Sequence, residues 1–169
     1  MSNVFCGLDF GTSNSTVGLV EGEKPRLAPV EDTKLTIPSA IFFSFEDNQT
    51  YYGRKGIEEY IEGAEGRLMR ALKSVLGSSL AKDSTYIKSR QVAFIDILGM
   101  FINHLKTKDE EEAGQEIDRV VLGRPVQFVD DNPEADAEAQ GQLEAAARKQ
   151  GFRHIEFQFE PIAAALDYE

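Results

Sequence analysis

The first twenty-one residues constrain the fold most. Val4 to Leu8 is a short, largely apolar run, Asp9 to Ser15 is a turn rich in Gly, Ser, Thr and Asn, and Thr16 to Glu21 resumes a β-rich pattern. This reads as a β-hairpin whose turn is crowded with hydrogen-bonding groups. Gly22 and Glu23 allow a further turn, after which Arg26 to Val30 adds a third antiparallel strand. Beyond Pro38, Ala40 to Phe45 is strongly β-prone, and Asp47 and Asn48 turn it back into Thr50 to Tyr52. This second hairpin is assigned to a separate lobe.

Residues 54 to 90 mix short helical patterns with several glycines. From Gln91 to Lys106 one helical face carries Val92, Ile95, Leu98, Ile102 and Leu105, and Phe94, Ile97 and Phe101 make the helix apolar nearly all round, so it is expected to be buried. The acidic run Lys108 to Glu116 reads as a solvated helix end and loop. Arg119 to Leu122 is a short buried strand ended by Gly123, Arg124 and Pro125. Asn132 and Pro133 then start a well-marked helix: Asn is a good N-cap, proline suits the first helical position, Glu134 and Asp136 against Arg148 and Lys149 complement the dipole, and Gly151 stops it. Ile155, Phe157 and Phe159 alternate with polar residues in a last strand, which leads into a helix from Pro161. Three antiparallel strands, an inserted lobe, then helix, strand, helix, strand and helix describe an α/β fold, a mixed sheet with helical crossovers. That last helix, which reaches Glu169 only eight residues after Pro161 with no cap, suggests that the chain ends inside a larger protein.

Of the 169 residues 41% are apolar, enough for a core, and 29 acidic residues against 18 basic give a net charge of -11. Such a field repels nucleic acid and anionic membrane surfaces. A nucleotide phosphate is not excluded, because backbone N–H groups and one well-placed cation override the global field inside a pocket. The lone cysteine, Cys6, is expected to be a buried apolar filler. With no signal-like segment and no apolar run near the roughly 20 residues of a membrane span, the sequence reads as cytoplasmic.

Gly7 to Thr16 is the candidate for chemistry. Gly11 lets backbone approach a ligand without a Cβ in the way, successive N–H groups can form an anion nest, and Thr12 and Ser13 add hydroxyls. Asp9, at the strand end, could hold Mg²⁺ through its waters. An ordinary polar hairpin turn would carry the same residue types. His104 and His154 are isolated, and with one cysteine they make no metal-binding pattern.

The segment Gly7-Leu8-Asp9-Phe10-Gly11-Thr12-Ser13-Asn14-Ser15 resembles the first phosphate loop of the DnaK-type heat-shock chaperones. In the same order, Leu35-Thr36-Ile37-Pro38-Ser39 resembles the family's entry to its second lobe, Ala71-Leu72-Lys73-Ser74-Val75-Leu76-Gly77 its lysine-bearing helix, and Phe159-Glu160-Pro161-Ile162-Ala163-Ala164-Ala165 its Asn-Glu-Pro-Thr-Ala-Ala-Ala helix start. The turn Leu122-Gly123-Arg124-Pro125, with Gln140-Gly141 and Gly151-Phe152-Arg153, is closer still to the YegD-like putative chaperones.

The resemblance implies half of an actin-like, ribonuclease H-like ATPase: a five-stranded mixed sheet formed by residues 1–39 and 90–169, with residues 40–89 as a reduced inserted lobe. It implies ATP or ADP with Mg²⁺ as ligands, Gly11, Thr12, Ser13 and Asn14 at the phosphates, and Asp9 ordering Mg²⁺ through water. Lys73 would contact the γ-phosphate and attacking water, Glu160 would help to place that water, and Pro125 would sit at a nucleotide-sensing hinge. Unfolded polypeptide and co-chaperones would be partners of the full-length protein. The sequence departs from the family in the short Ser78 to Ser89 stretch, in Asp130-Asp131-Asn132-Pro133 after the hinge proline, and in Gln140, which falls where the family tends to carry an arginine. The second phosphate loop, the adenosine loop and the peptide-binding domain are absent from these residues, so the 169-residue chain is expected to be inactive alone. An actin-like filament protein and a sugar-kinase relative are the alternatives.

Overall fold

The computed structural model describes residues 3–159. Its first strand, β1 (Val4–Phe10), buries alternate side chains: Val4, Cys6, Leu8 and Phe10 face the core, while Asp9 stands exposed on the other side. β1 pairs antiparallel with β2 (Asn14–Glu21), and β2 with β3 (Lys24–Leu27). The third strand therefore lies earlier than the expected Arg26 to Val30. Ala28 and Val30 are buried, but beyond the strand's end.

The two-residue β4 (Ile37–Pro38) pairs with the start of β2, through Asn14 with Pro38 and Ser15 with Ile37. The chain then leaves this sheet. β5 (Ile41–Ser44) lies between β6 (Thr50–Tyr52) and a later strand, β7 (Gly66–Met69), in a separate antiparallel sheet. Helix α1 (Arg54–Ile61) joins β6 to β7 and packs on them. Lys73 lies on a single 3-10 turn, Leu72–Val75, where the sequence suggested a helix. The stretch after it holds a second 3-10 turn and a hairpin of β8 (Ser84–Ile87) and β9 (Arg90–Ala93).

Helix α2 (Phe94–Ala113) starts three residues later than expected, because Gln91 to Ala93 are taken by β9, and runs through much of the acidic stretch. Gly114, at φ 70°, supplies the left-handed residue that ends it. Lys106 and Asp109 are buried on its inner face; Asp109 is the one buried residue of Lys108 to Glu116, and the rest of that run is exposed or half-buried. Phe101 stacks near Phe10 at 5.8 Å between ring centroids and near Tyr52 at 6.3 Å, so one side chain ties the main sheet to the second one. Truncating such a ring costs about 3–5 kcal/mol.

β10 (Arg119–Arg124) lies parallel to β1, and β11 (His154–Phe159) parallel to β10. A parallel pair needs a crossover, and α3 (Pro133–Lys149) supplies the one between β10 and β11. It begins as the sequence predicts, with Asn132 Oδ1 accepting from the Ala135 N–H at 3.1 Å and Pro133 in the first turn. Ala139, Leu143, Ala146 and Ala147 form its buried stripe. The main sheet runs β11-β10-β1-β2-β3, five strands with β4 attached to β2, and α2 packs on its β1 and β2.

Candidate functional site

The turn between β1 and β2, expected over Asp9 to Ser15, is confined to Gly11 to Ser13 because Asp9 and Phe10 pair with Thr16 and Ser15, and it is held by its own backbone and by one serine from another segment. Gly11 N–H donates to the Asn14 carbonyl at 3.1 Å, closing a tight turn between β1 and β2. A Cβ at Gly11 would lie 2.2 Å from that same carbonyl oxygen, so only glycine fits. Ser39, directly after β4, grips both sides of the turn. Its hydroxyl donates to the Gly11 carbonyl at 2.8 Å, and its N–H donates to the Ser13 carbonyl at 2.9 Å. With its proton so committed, Ser39 Oγ accepts from the buried Ser15 hydroxyl at 2.8 Å. In sequence the Pro38-Ser39 pair stands out only through the family resemblance. Its structural role is to brace the turn.

With these backbone groups engaged, Thr12 and Ser13 are left exposed at the crest. They line a cavity of about 280 Å³ with Ser39, Ile57, Arg70 and Ala71, and no acidic residue lines it. Arg70 follows β7, and Ala71 stands in the left-handed region at φ 52°. A residue with a Cβ costs on the order of 1 kcal/mol there.

The remaining sequence-predicted residues are placed as follows. Asp9 lies on the sheet face away from α2 and lines a different cavity, about 700 Å³, with Gly7, Thr16, Gly18 and Gln158. Asn14 opens β2, exposed, opposite Pro38. The Lys73 ammonium lies 5.9 Å from the centre of the Phe128 ring, on the loop after Pro125. Glu160 lies outside the described residues. No group of three or more His, Cys, Asp or Glu side chains able to hold a metal is found among the described residues.

Pro125 is held through its neighbour. Arg124, 8% exposed, donates Nε–H to the Pro125 carbonyl at 2.9 Å and an Nη2–H to the Val126 carbonyl at 3.2 Å. The same guanidinium bonds both Asp136 oxygens, at 3.1 and 2.9 Å, and also Gln140 Oε1. Its Cζ lies 4.9 Å from the Phe128 centroid and 5.2 Å from that of Phe159. The hydrogen bond from Arg124, then one from the Phe128 N–H, holds the Asp136 carboxyl below its usual range. Gln140, where an arginine was expected, thus serves as acceptor to an arginine from β10. Nothing in the sequence marked Arg124 for burial, since its partners lie one helix away.

A family model described as Hsp70 protein matches residues 5–95, from β1 through the braced turn and the second sheet to the start of α2. The chain belongs to the Hsp70 family. Its Hsp70 relatives include the chaperone protein HscA homolog of Rickettsia bellii, 30% identical over 96% of this chain and 27% of that protein. The chaperone protein DnaK of Mycoplasmopsis agalactiae is 26% identical over 98% of this chain and 25% of its own length. The HscA homolog of Rickettsia felis is 28% identical, over 96% and 26%. The chain spans about a quarter of the length of these curated relatives. The fold is accordingly that of the actin-like ATPases, and the α/β mixed sheet expected from the sequence is the one observed. The YegD-like affinity of the Leu122 to Pro125 turn rests on sequence resemblance alone.

Proposed function

We propose that this chain is the N-terminal part of an ATP-binding, ATP-hydrolysing Hsp70-type chaperone, and that the Gly11–Asn14 turn meets the phosphates of the nucleotide. The observation that carries this reading is the brace of Ser39 on both sides of the turn, with Thr12 and Ser13 lining a cavity that is also lined by an arginine and by no carboxylate. That donor set suits an anion. It is fixed before any ligand arrives, so little reorganisation is needed on binding.

In this reading residues 1–39 and 90–169 form one lobe, residues 40–89 form a smaller one, and the nucleotide lies where they meet. Bound Mg²⁺ would neutralise charge on the phosphates. Asp9 would accept hydrogen bonds from water ordered around that ion, Lys73 would donate to the terminal phosphate and attacking water, and Glu160 would orient that water. Pro125, tied to Arg124, would serve as the hinge. Unfolded polypeptide and co-chaperones would be partners of the complete protein in the cytoplasm. No helix among the described residues is long and apolar enough to cross a membrane.

Phosphate release by the complete polypeptide tests the proposal. Thr12→Val and Lys73→Ala should each slow steady-state turnover of Mg-ATP by about a hundredfold or more, as loss of a transition-state donor does elsewhere. Undiminished turnover in both variants would remove the phosphate role of this turn.

A further inference from the structure

We infer that Arg70 is a second cation of the phosphate site and that it contacts the terminal phosphate of a bound nucleoside triphosphate, an inference that rests on the nucleotide reading above. Arg70, not Lys73, lines the cavity beside the Thr12 and Ser13 hydroxyls, whereas the Lys73 ammonium lies over Phe128. The two cations therefore lie at different places.

Three observations support the assignment. Arg70 is exposed and makes no hydrogen bond or ion pair among the described residues, in a chain with 29 acidic side chains against 18 basic ones. A guanidinium with no carboxylate partner, in a cavity lined by no acid, is available to an anion. Next, Ala71 holds φ 52° immediately after it, and Leu72 beyond is 2% exposed. This left-handed residue turns the chain so that Leu72 enters the core while Arg70 stays at the cavity. An alanine kept in that conformation indicates that its surroundings fix the turn. Lastly, the cavity, at about 280 Å³, falls below the roughly 300–1,000 Å³ of sites that enclose a whole small ligand. It suits a phosphate group, with the rest of a nucleotide outside it.

The guanidinium fork matches two phosphate oxygens at once, which the ammonium of lysine cannot do. With the terminal phosphate seated in this cavity, a triphosphate would engage Arg70 and a diphosphate would leave it unoccupied, so Arg70 would favour triphosphate over diphosphate. Free inorganic phosphate offers the same oxygens, so it must be tested separately.

The experiment titrates the ¹⁵N-labelled 169-residue chain with Mg-ATP, Mg-ADP and inorganic phosphate to tens of millimolar, following amide shifts of residues 11–14 and 70–73. Wild type, Arg70→Ala and Arg70→Lys are compared. Because Arg70 is exposed and unbonded, all three should give the same dispersed spectrum. The inference expects Arg70→Ala to weaken Mg-ATP about tenfold and Mg-ADP less than about twofold, with Arg70→Lys between. Equal ATP affinity in wild type and Arg70→Ala would overturn it while leaving the nucleotide reading intact. Equal loss for ATP, ADP and inorganic phosphate would overturn the terminal-phosphate assignment and make this a general anion site. Absence of any shift in wild type with all three ligands would overturn the nucleotide reading and this inference together.

Discussion

The Ser39 hydroxyl donates to the carbonyl of Gly11 at 2.8 Å, joining the end of the second strand-to-sheet connection to the turn twenty-eight positions earlier. The turn between β1 and β2 is thus held from outside the hairpin that contains it. Ser39→Ala removes this bond and strands the Ser15 hydroxyl, which is 1% exposed. Leaving a buried donor unpaired costs about 1–3 kcal/mol, so urea denaturation should show a loss of that size. Hydrogen exchange at the amides of Gly11 and position 39, which donate to the Asn14 and Ser13 carbonyls, should accelerate more than exchange in α3. A variant with wild-type stability and protection would show that the brace is redundant.

Asp109 should make this protein less stable as pH rises through about 6. Its carboxyl oxygens are buried and accept no hydrogen bond among the described residues. Burial pushes the group from its ordinary 3.8 up to about 6, against smaller favourable effects of the Cys6 thiol on β1 and Arg26 on β3; Glu110 and Glu112 on its own helix push the same way as burial. Lys106 lies one turn away and is engaged with Glu110 at 2.6 Å. The folded state holds the proton more tightly than the unfolded one, so the contribution is full below 3.8 and is lost as pH climbs past about 6. Asp109→Asn should stabilise the fold at pH 8 by on the order of 1–3 kcal/mol and abolish that decline. A pH–stability curve unchanged by the substitution would contradict this.

His104 acts in the opposite sense. Burial, then the Lys108 charge, pushes it from 6.5 to about 4, opposed by Glu111 and Glu31, while its ring stacks on Tyr52 at 4.1 Å and 11°. Here the folded state binds the proton more weakly. Its contribution is present above 6.5 and lost as pH falls to about 4. His104→Phe keeps a ring against Tyr52 and should flatten the decline measured by thermal denaturation between pH 6 and 4. A wild-type acid limb in that variant would assign the decline to other groups.

Arg124→Ala should free the segment from Pro125 to Asn132 without unfolding the sheet. The guanidinium gathers the carbonyls of Pro125 and Val126, the Asp136 carboxylate and the Gln140 amide, so its loss leaves those acceptors with one fewer partner each. Amide exchange at Phe128 should rise by about tenfold or more while that of Leu122 is unchanged. Uniform acceleration along β10 would mean that the network supports the sheet itself.

The clearest part of the chain in sequence was the part whose signals are local. Asn132, Pro133 and Gly151 fix α3 within a turn of each end, and the apolar run Val4 to Leu8 marks β1, which pairing with β2 extends to Phe10. The start of α2 was misplaced because Val92 suits a helical face as well as it suits β9, and only pairing with Thr85 decides between them. Asp109 was read as solvated because its neighbours are acidic. Its burial follows from α2 continuing beyond Lys106, which turns position 109 onto the stripe of Ile102 and Leu105. Thr12 and Ser13 were legible as turn residues. Arg70 was not, because the property that distinguishes it, a left-handed neighbour and a shared cavity with residues far away in sequence, has no local signature.

The strand order places β1, the earliest of the main sheet's strands along the sequence, at the middle of that sheet. β1 can pair with β2 as soon as residue 21 has emerged, but its other edge waits for β10, where Leu8 meets Leu122. During synthesis that edge stays open while the second sheet, the β8–β9 hairpin and all of α2 are produced. An apolar strand with an unpaired edge is a template for another nascent chain. Closure of this sheet is governed by a contact of long sequence separation, which makes folding slow. A protein built in this way, itself kin to chaperones, exposes during its own birth the kind of segment from which chaperones protect others.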